Sequence, residues 1–180
     1  MVLTVDFHCD ALSKLWEDPK ASFVDDPKLD VSRERMTEGD VALQVFAVFL
    51  SNHYGRASFE RVLSQLEIFR NRMVRPALLE ALLWREQVQQ IGHSRRKRYG
   101  ILSLEGVDGI ESNLHYVQLC YELGVRFMGI TWNYANWAAD GVLEQRNGGF
   151  TERGRELVEK CHETGLYSTY LIYPEQASGN

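Results

Sequence analysis

The sequence predicts an α/β fold organised on a parallel sheet, either doubly wound or an opened piece of a (β/α)8 barrel. Two observations predict it. Near-continuous apolar runs rich in β-branched and aromatic residues, such as Val41 to Leu50 (VALQVFAVFL), read as strands covered on both faces. Those runs alternate with stretches whose apolar residues recur at helical intervals. The 180 residues, 44% hydrophobic and 25% charged, suffice for one ordinary domain with a sizeable core.

The elements follow in order. Val2 to Val5 is a short strand that stops where polar residues begin, at His8-Cys9-Asp10. Asp18-Pro19 and Asp26-Pro27 then punctuate a long loop with at most a short helix. Gly39 and Asp40 open the second strand, Val41 to Leu50. From Ser58 onward, Val62, Leu66, Phe69, Met73, Leu78, Leu82 and Val88 form a helical stripe interrupted at Pro76. Tyr99 to Leu104 (YGILSL) is the third strand, followed at once by Glu105-Gly106. A helix with Ile110, Leu114, Val117 and Tyr121 on one face closes at Gly124. Val125 to Ile130 is the fourth strand, and Thr131-Trp132-Asn133-Tyr134 follows it. A polar, Gly-rich loop from Asp140 to Gly149 leads to Thr151, the N-cap of a helix that carries Leu157, Val158 and Cys161 and ends at Gly165.

Composition excludes several functions. A net charge of −5 argues against a nucleic-acid partner, and the one basic cluster, Arg95 to Arg98, lacks interleaved aromatics and reads as a solvated loop before a strand. No GxGxxG or GxxxxGK[ST] pattern is present, which removes the common nucleotide-binding readings. Cys9, Cys120 and Cys161 form an odd set without CxxC spacing and read as reduced, mostly buried thiols. Met1 leads straight into a strand without a basic n-region, and no apolar stretch reaches membrane-spanning length. The expected localisation is cytoplasmic.

The chemistry concentrates at strand ends. In a strand that ends in His-x-Asp, alternate residues share a face, so His8 and Asp10 point the same way. Imidazole and carboxylate both ligate zinc-like divalent ions. Taken alone, the tripeptide reads more readily as a strand terminus with a turn-forming Asp and an incidental His. Glu105 changes the balance. A carboxylate directly after a buried strand must be solvated, paired or metal-bound, because leaving it dry and unpaired costs several kcal/mol. In a parallel sheet it shares its rim with His8 and Asp10, and that rim is where such enzymes place their active sites.

With those residues in place, the sequence resembles the zinc dipeptidases of the renal or membrane dipeptidase type. VDFHCD resembles that family's opening strand, GDVALQVFAVFLS its second, and LSLEG the strand that delivers its bridging glutamate. GVRFMGITWNYANWAADGV resembles the next strand and substrate-side loop of bacterial members, and GGFTERGRELVEKCHETGL the helix before the fifth strand. The resemblance runs almost continuously from Val5 to Leu166. It implies a (β/α)8 barrel, here incomplete at about five of its strands, since a whole one needs roughly 250 residues. It also implies two zinc ions per intact site, with His8 and Asp10 on the first zinc and the catalytic Glu105 bridging the pair. The activity implied is hydrolysis of dipeptides by a metal-activated water. Where some members place a carbonyl-binding histidine after the fourth strand, this chain has Trp132-Asn133, which leaves Asn133 and Tyr134 as candidate substrate contacts.

The chain also departs from the family. The second zinc would need two histidines from the fifth and sixth strands, whereas His53, His93, His115 and His162 lie in loops or on helices. Residues 1–166 therefore read as the N-terminal part of a metallo-dipeptidase barrel, and residues 167–180 as an aberrant tail. One back-translation of Ser168 to Asn180, read two bases later, spells DVSHLSGASFWE, the run with which the family would continue. A one-base deletion or sequencing error near Tyr167 would produce that pattern; the alternative is a genuinely short paralogue with an unrelated tail. The chain as written is then expected to be an inactive fragment whose unpaired strand edges favour aggregation or a homo-oligomer. Two rival readings are a non-catalytic binding or assembly module and another metal-dependent amidohydrolase-type barrel enzyme.

Overall fold

A computed structural model describes residues 3–94 and 96–170. The chain divides into two compact units, residues 1–49 with 63–103 and residues 50–62 with 104–180. The strands are β1 (Thr4–Asp6), β2 (Val41–Phe49), β3 (Glu80–Ala81), β4 (Tyr99–Glu105), β5 (Val125–Gly129) and β6 (Tyr167–Thr169). The α-helices are α1 (Ala11–Glu17), α2 (Arg33–Glu38), α3 (Phe59–Ile68), α4 (Arg85–Val88), α5 (His115–Glu122) and α6 (Glu152–Thr164). The strand order is β1-β2-β4-β5-β6, with β3 pairing to β4 off that path. The first four residues of β4 and Ser103 belong to the first unit and its last two residues to the second.

In the first unit, β2 forms the centre of the core because its apolar run is buried without a break from Ala42 to Val48. Phe46 meets Phe23 edge-on and Phe69 at a tilt, each with ring centroids 5.7 Å apart. β1 pairs in parallel with β2 through Val5 opposite Leu43 and Asp6 opposite Gln44. Helix α1 buries Ala11, Leu12 and Leu15. The stretch expected to be one long loop therefore holds two helices, α1 and α2. Each is a turn or two long and is fixed by the core it covers, not by intrinsic propensity.

The expected helical stripe from Ser58 to Val88 breaks up. α3 passes into a π-helical turn over Phe69–Val74, and the chain then becomes the two-residue strand β3. Leu79 and Leu82 are buried on either side of that strand, since a short apolar run satisfies helix and strand spacing equally well. Arg98 also departs from its expected place in a solvated loop. It is 3% exposed, and its guanidinium donates to the Met36 and Lys97 carbonyls. The Met36 carbonyl lies in the last turn of α2, where the helix dipole favours a cation.

In the second unit, β5 and β6 pair in parallel through Phe127 and Tyr167, Met128 and Ser168, and Gly129 and Thr169. Tyr167 to Thr169, expected as the start of an aberrant tail, thus form a strand, and the rest of that tail from 171 onward lies outside the described residues. Helix α6 has the caps its sequence calls for: Thr151 accepts from the Gly154 N–H, and Gly165 turns left-handed at φ 92°. Gly154 is fixed by contact. A Cβ there would stand 1.9 Å from the Ala138 carbonyl oxygen, so only glycine lets the helix approach the preceding loop. The helix expected to carry Ile110 begins later. Ile110 is buried in a separate 3-10 turn over Val107–Ile110, and α5 starts at His115.

Candidate metal centre

His8 and Asp10 are brought together by a tight strand-to-helix turn and not by pleating. β1 ends at Asp6, whose carboxylate accepts the His8 backbone N–H at 3.1 Å. Asp10 is already the N-cap of α1. An aspartate in that position ordinarily accepts N–H groups of the first helical turn. Here it makes no such bond, and its Oδ2 stands 3.5 Å from the His8 Nε2. Both side chains are about half exposed. Cys9 between them is buried, which pushes its thiol up to about 12, so it remains a thiol at neutral pH.

Glu105 is the last residue of β4. The chain leaves it through Gly106, at φ 84°, where a Cβ would come within 3.1 Å of the Asp108 carboxylate. His8 and Asp10 belong to the first unit and Glu105 to the second. Donors held by one zinc at ~2.1 Å in a tetrahedron are ~3.4 Å apart. The His8–Asp10 separation meets that spacing. One imidazole and two carboxylates form a hard-to-borderline donor set that suits zinc, manganese, iron or cobalt.

The other candidate residues lie on the loop after β5. Tyr134 is 56% exposed, so it does not spend its ring on core packing. Asn133 is half-buried, and its carbonyl accepts the Leu143 N–H at 2.9 Å, closing the loop onto itself. A cavity of about 410 Å³ in the second unit is lined by Asn52, Arg56, Asp108, Glu111, Ser112 and Trp137. Asp140 anchors the same loop. The Arg146 guanidinium, in a two-pronged contact, and the Gly148 N–H hold its carboxyl below the usual carboxylate range. His53, His93, His115 and His162 stand in turns or on helices, away from strand ends. The side chains of Asn136 and Trp137 reach back to the turn after Glu105. The sequence marks Trp137 only as an aromatic packing residue and Asn136 not at all, because an Asn and a Trp in an irregular loop have no periodic signature.

Comparisons with known proteins agree with this architecture. A curated relative, the uncharacterized protein in the PQQ-III 3′ region of Acinetobacter calcoaceticus, is 22% identical over 188 residues, covering 87% of this chain and 59% of the relative. The crystal structure of dipeptidase AC, a metallo peptidase of family M19, superposes with a TM-score of 0.78 at 22% identity, covering 93% of this chain and 55% of that one. The metallo peptidase from Rhodobacter sphaeroides, liganded with a phosphinate mimic of the dipeptide L-Ala-D-Ala, gives 0.79 at 20% identity, covering 93% and 57%. The chain thus spans 55–59% of the length of these three proteins, and it has the α/β barrel-type fold of the two solved structures, incomplete. The membrane dipeptidase family model matches residues 1–167, which places this chain in that family, peptidase family M19.

Proposed function

We propose that His8, Asp10 and Glu105 bind a divalent metal, zinc in the first instance, and that the centre they begin serves the hydrolysis of dipeptides. The observation that carries this reading is Asp10, whose carboxylate caps no helix N–H and stands 3.5 Å from the His8 ring nitrogen, in a chain whose residues 1–167 match the membrane dipeptidase family. A metal bound there supplies a Lewis acid and a more acidic water. His8 would hold it through a ring nitrogen, Asp10 through a carboxylate not spent on capping, and Glu105 through its carboxylate. Asn133 and Tyr134 are assigned to the substrate side. The 180 residues alone are expected to bind metal without turning over dipeptides, since three donors do not complete a two-metal site.

The reading is tested by stripping the purified chain with a chelator and titrating zinc and cobalt(II). Wild type is expected to bind, with Glu105→Gln and His8→Ala each weakening the affinity at least about tenfold. Equal affinity in all three proteins would overturn it.

A further inference from the structure

The loop after β5 is stapled to the turn that follows Glu105, and the staples are side chains. Backbone pairing begins the connection: the Gly106 N–H donates to the Gly129 carbonyl at 3.0 Å and the Val107 N–H to the Ile130 carbonyl at 3.2 Å. Asn136 then uses every polar atom of its amide. Its Nδ2 donates to the Ile130 carbonyl at 2.7 Å and to the Asp108 carboxylate at 3.2 Å. Its Oδ1 accepts the Ala138 and Ala139 N–H groups at 2.8 and 3.2 Å. Trp137 adds an indole N–H donated to the Val107 carbonyl at 2.8 Å. The three residues after Glu105 are thereby held by two backbone and two side-chain links. A left-handed glycine at the head of such a turn would otherwise leave the preceding side chain loosely aimed.

We propose that Asn136 and Trp137 are positioning residues for Glu105, fixing the turn 106–108 and with it the direction in which the Glu105 carboxylate meets a metal. The proposal rests on the metal reading of the preceding subsection. The two residues touch neither metal nor substrate; they act through the turn. Metal ligands held by such outer contacts lose about 10- to 100-fold in affinity when the contacts are removed.

The test uses the full chain, cobalt(II) and a competing chelator, with affinity and the visible ligand-field spectrum as readouts. Asn136→Asp keeps the acceptor for Ala138 and Ala139 but sets a carboxylate against Asp108 and the Ile130 carbonyl, and Trp137→Phe removes the indole donor together with part of the ring. Each is expected to weaken cobalt binding about tenfold and to alter the spectrum. The swap Asp108→Asn/Asn136→Asp restores a donor–acceptor pair between the two side chains but not the bond to the Ile130 carbonyl, and is expected to recover the part of the loss that the Asp108 contact accounts for. In a Glu105→Gln background, Asn136→Asp should cost nothing further, because the carboxylate it aims is gone. Affinities within twofold of wild type for both single variants overturn the proposal. So does a full tenfold loss in the Glu105→Gln background, which would mark a general role in the fold. If Glu105→Gln itself binds cobalt as wild type does, the metal reading has failed first, and the two failures are told apart by that one variant.

Discussion

Asp10 is an N-cap that does not cap. Its carboxylate lies beside His8 while the first N–H groups of α1 go without the side-chain acceptor that position usually supplies. A residue kept in a helix-stabilising position but turned to another partner forgoes a contribution of about 1 kcal/mol. Asp10→Ser is therefore expected to leave folding stability unchanged or to raise it by up to ~1 kcal/mol in urea unfolding, since serine caps equally well. The same variant should lose metal affinity in the cobalt titration. Lower stability together with unchanged cobalt binding would show that Asp10 serves the helix instead. At this scale the places of His8, Asp10 and Glu105 at or just past strand ends were legible, because those ends follow from hydrophobic runs. The local geometry was not. Alternation along a strand is a poor guide two residues past its end, and β1 stops at Asp6.

Elements whose limits are written in caps were legible; those shaped by their neighbours were not. α6 has Thr151 and Gly165 where a helix of that composition needs them. Thr151 also donates its hydroxyl to the Trp137 carbonyl at 2.9 Å, so one side chain both starts the helix and holds the end of the staple-bearing loop. Thr151→Ala is expected to cost ~1–2 kcal/mol in urea unfolding, the upper end of capping effects, because both contacts go together. Thr151→Ser keeps both and should recover most of that cost. A loss below ~0.5 kcal/mol for the alanine would show the cap to be dispensable. By contrast, β3 and the short helix α1 carry no cap or period strong enough to announce themselves, and α2, though capped by Ser32, is too short to show a period. β3 exists because Glu80 and Ala81 lie beside Tyr99 and Gly100 of β4, a pairing across some twenty residues that no local window contains. Leu79 and Leu82 are buried, but the helical stripe that seemed to include Leu82 was an accident of spacing.

For the whole molecule, fold class was legible because alternating strands and helices admit few topologies. What the chain leaves uncovered was legible only in outline. β1 stands at one end of the strand order, and Leu3, Val5 and Phe7 are exposed at 45%, 42% and 69%. Alternate apolar side chains on an edge strand are what natural sheets avoid, since an unpaired edge invites another chain. In the longer proteins that this chain matches over 55–59% of their length, additional polypeptide is present that these 180 residues do not contain. An edge of this kind is expected to drive concentration-dependent association of the 180-residue chain. Val5→Lys places a charge on that edge without touching His8, Asp10 or Glu105, and charged residues are a natural means of blunting edges. Light scattering over a concentration series should show the wild-type mass rising and the Val5→Lys mass rising less, with cobalt affinity the same in both. A wild-type mass that stays constant with concentration, or a variant that associates as readily as wild type, would mean that the β1 edge is not the contact.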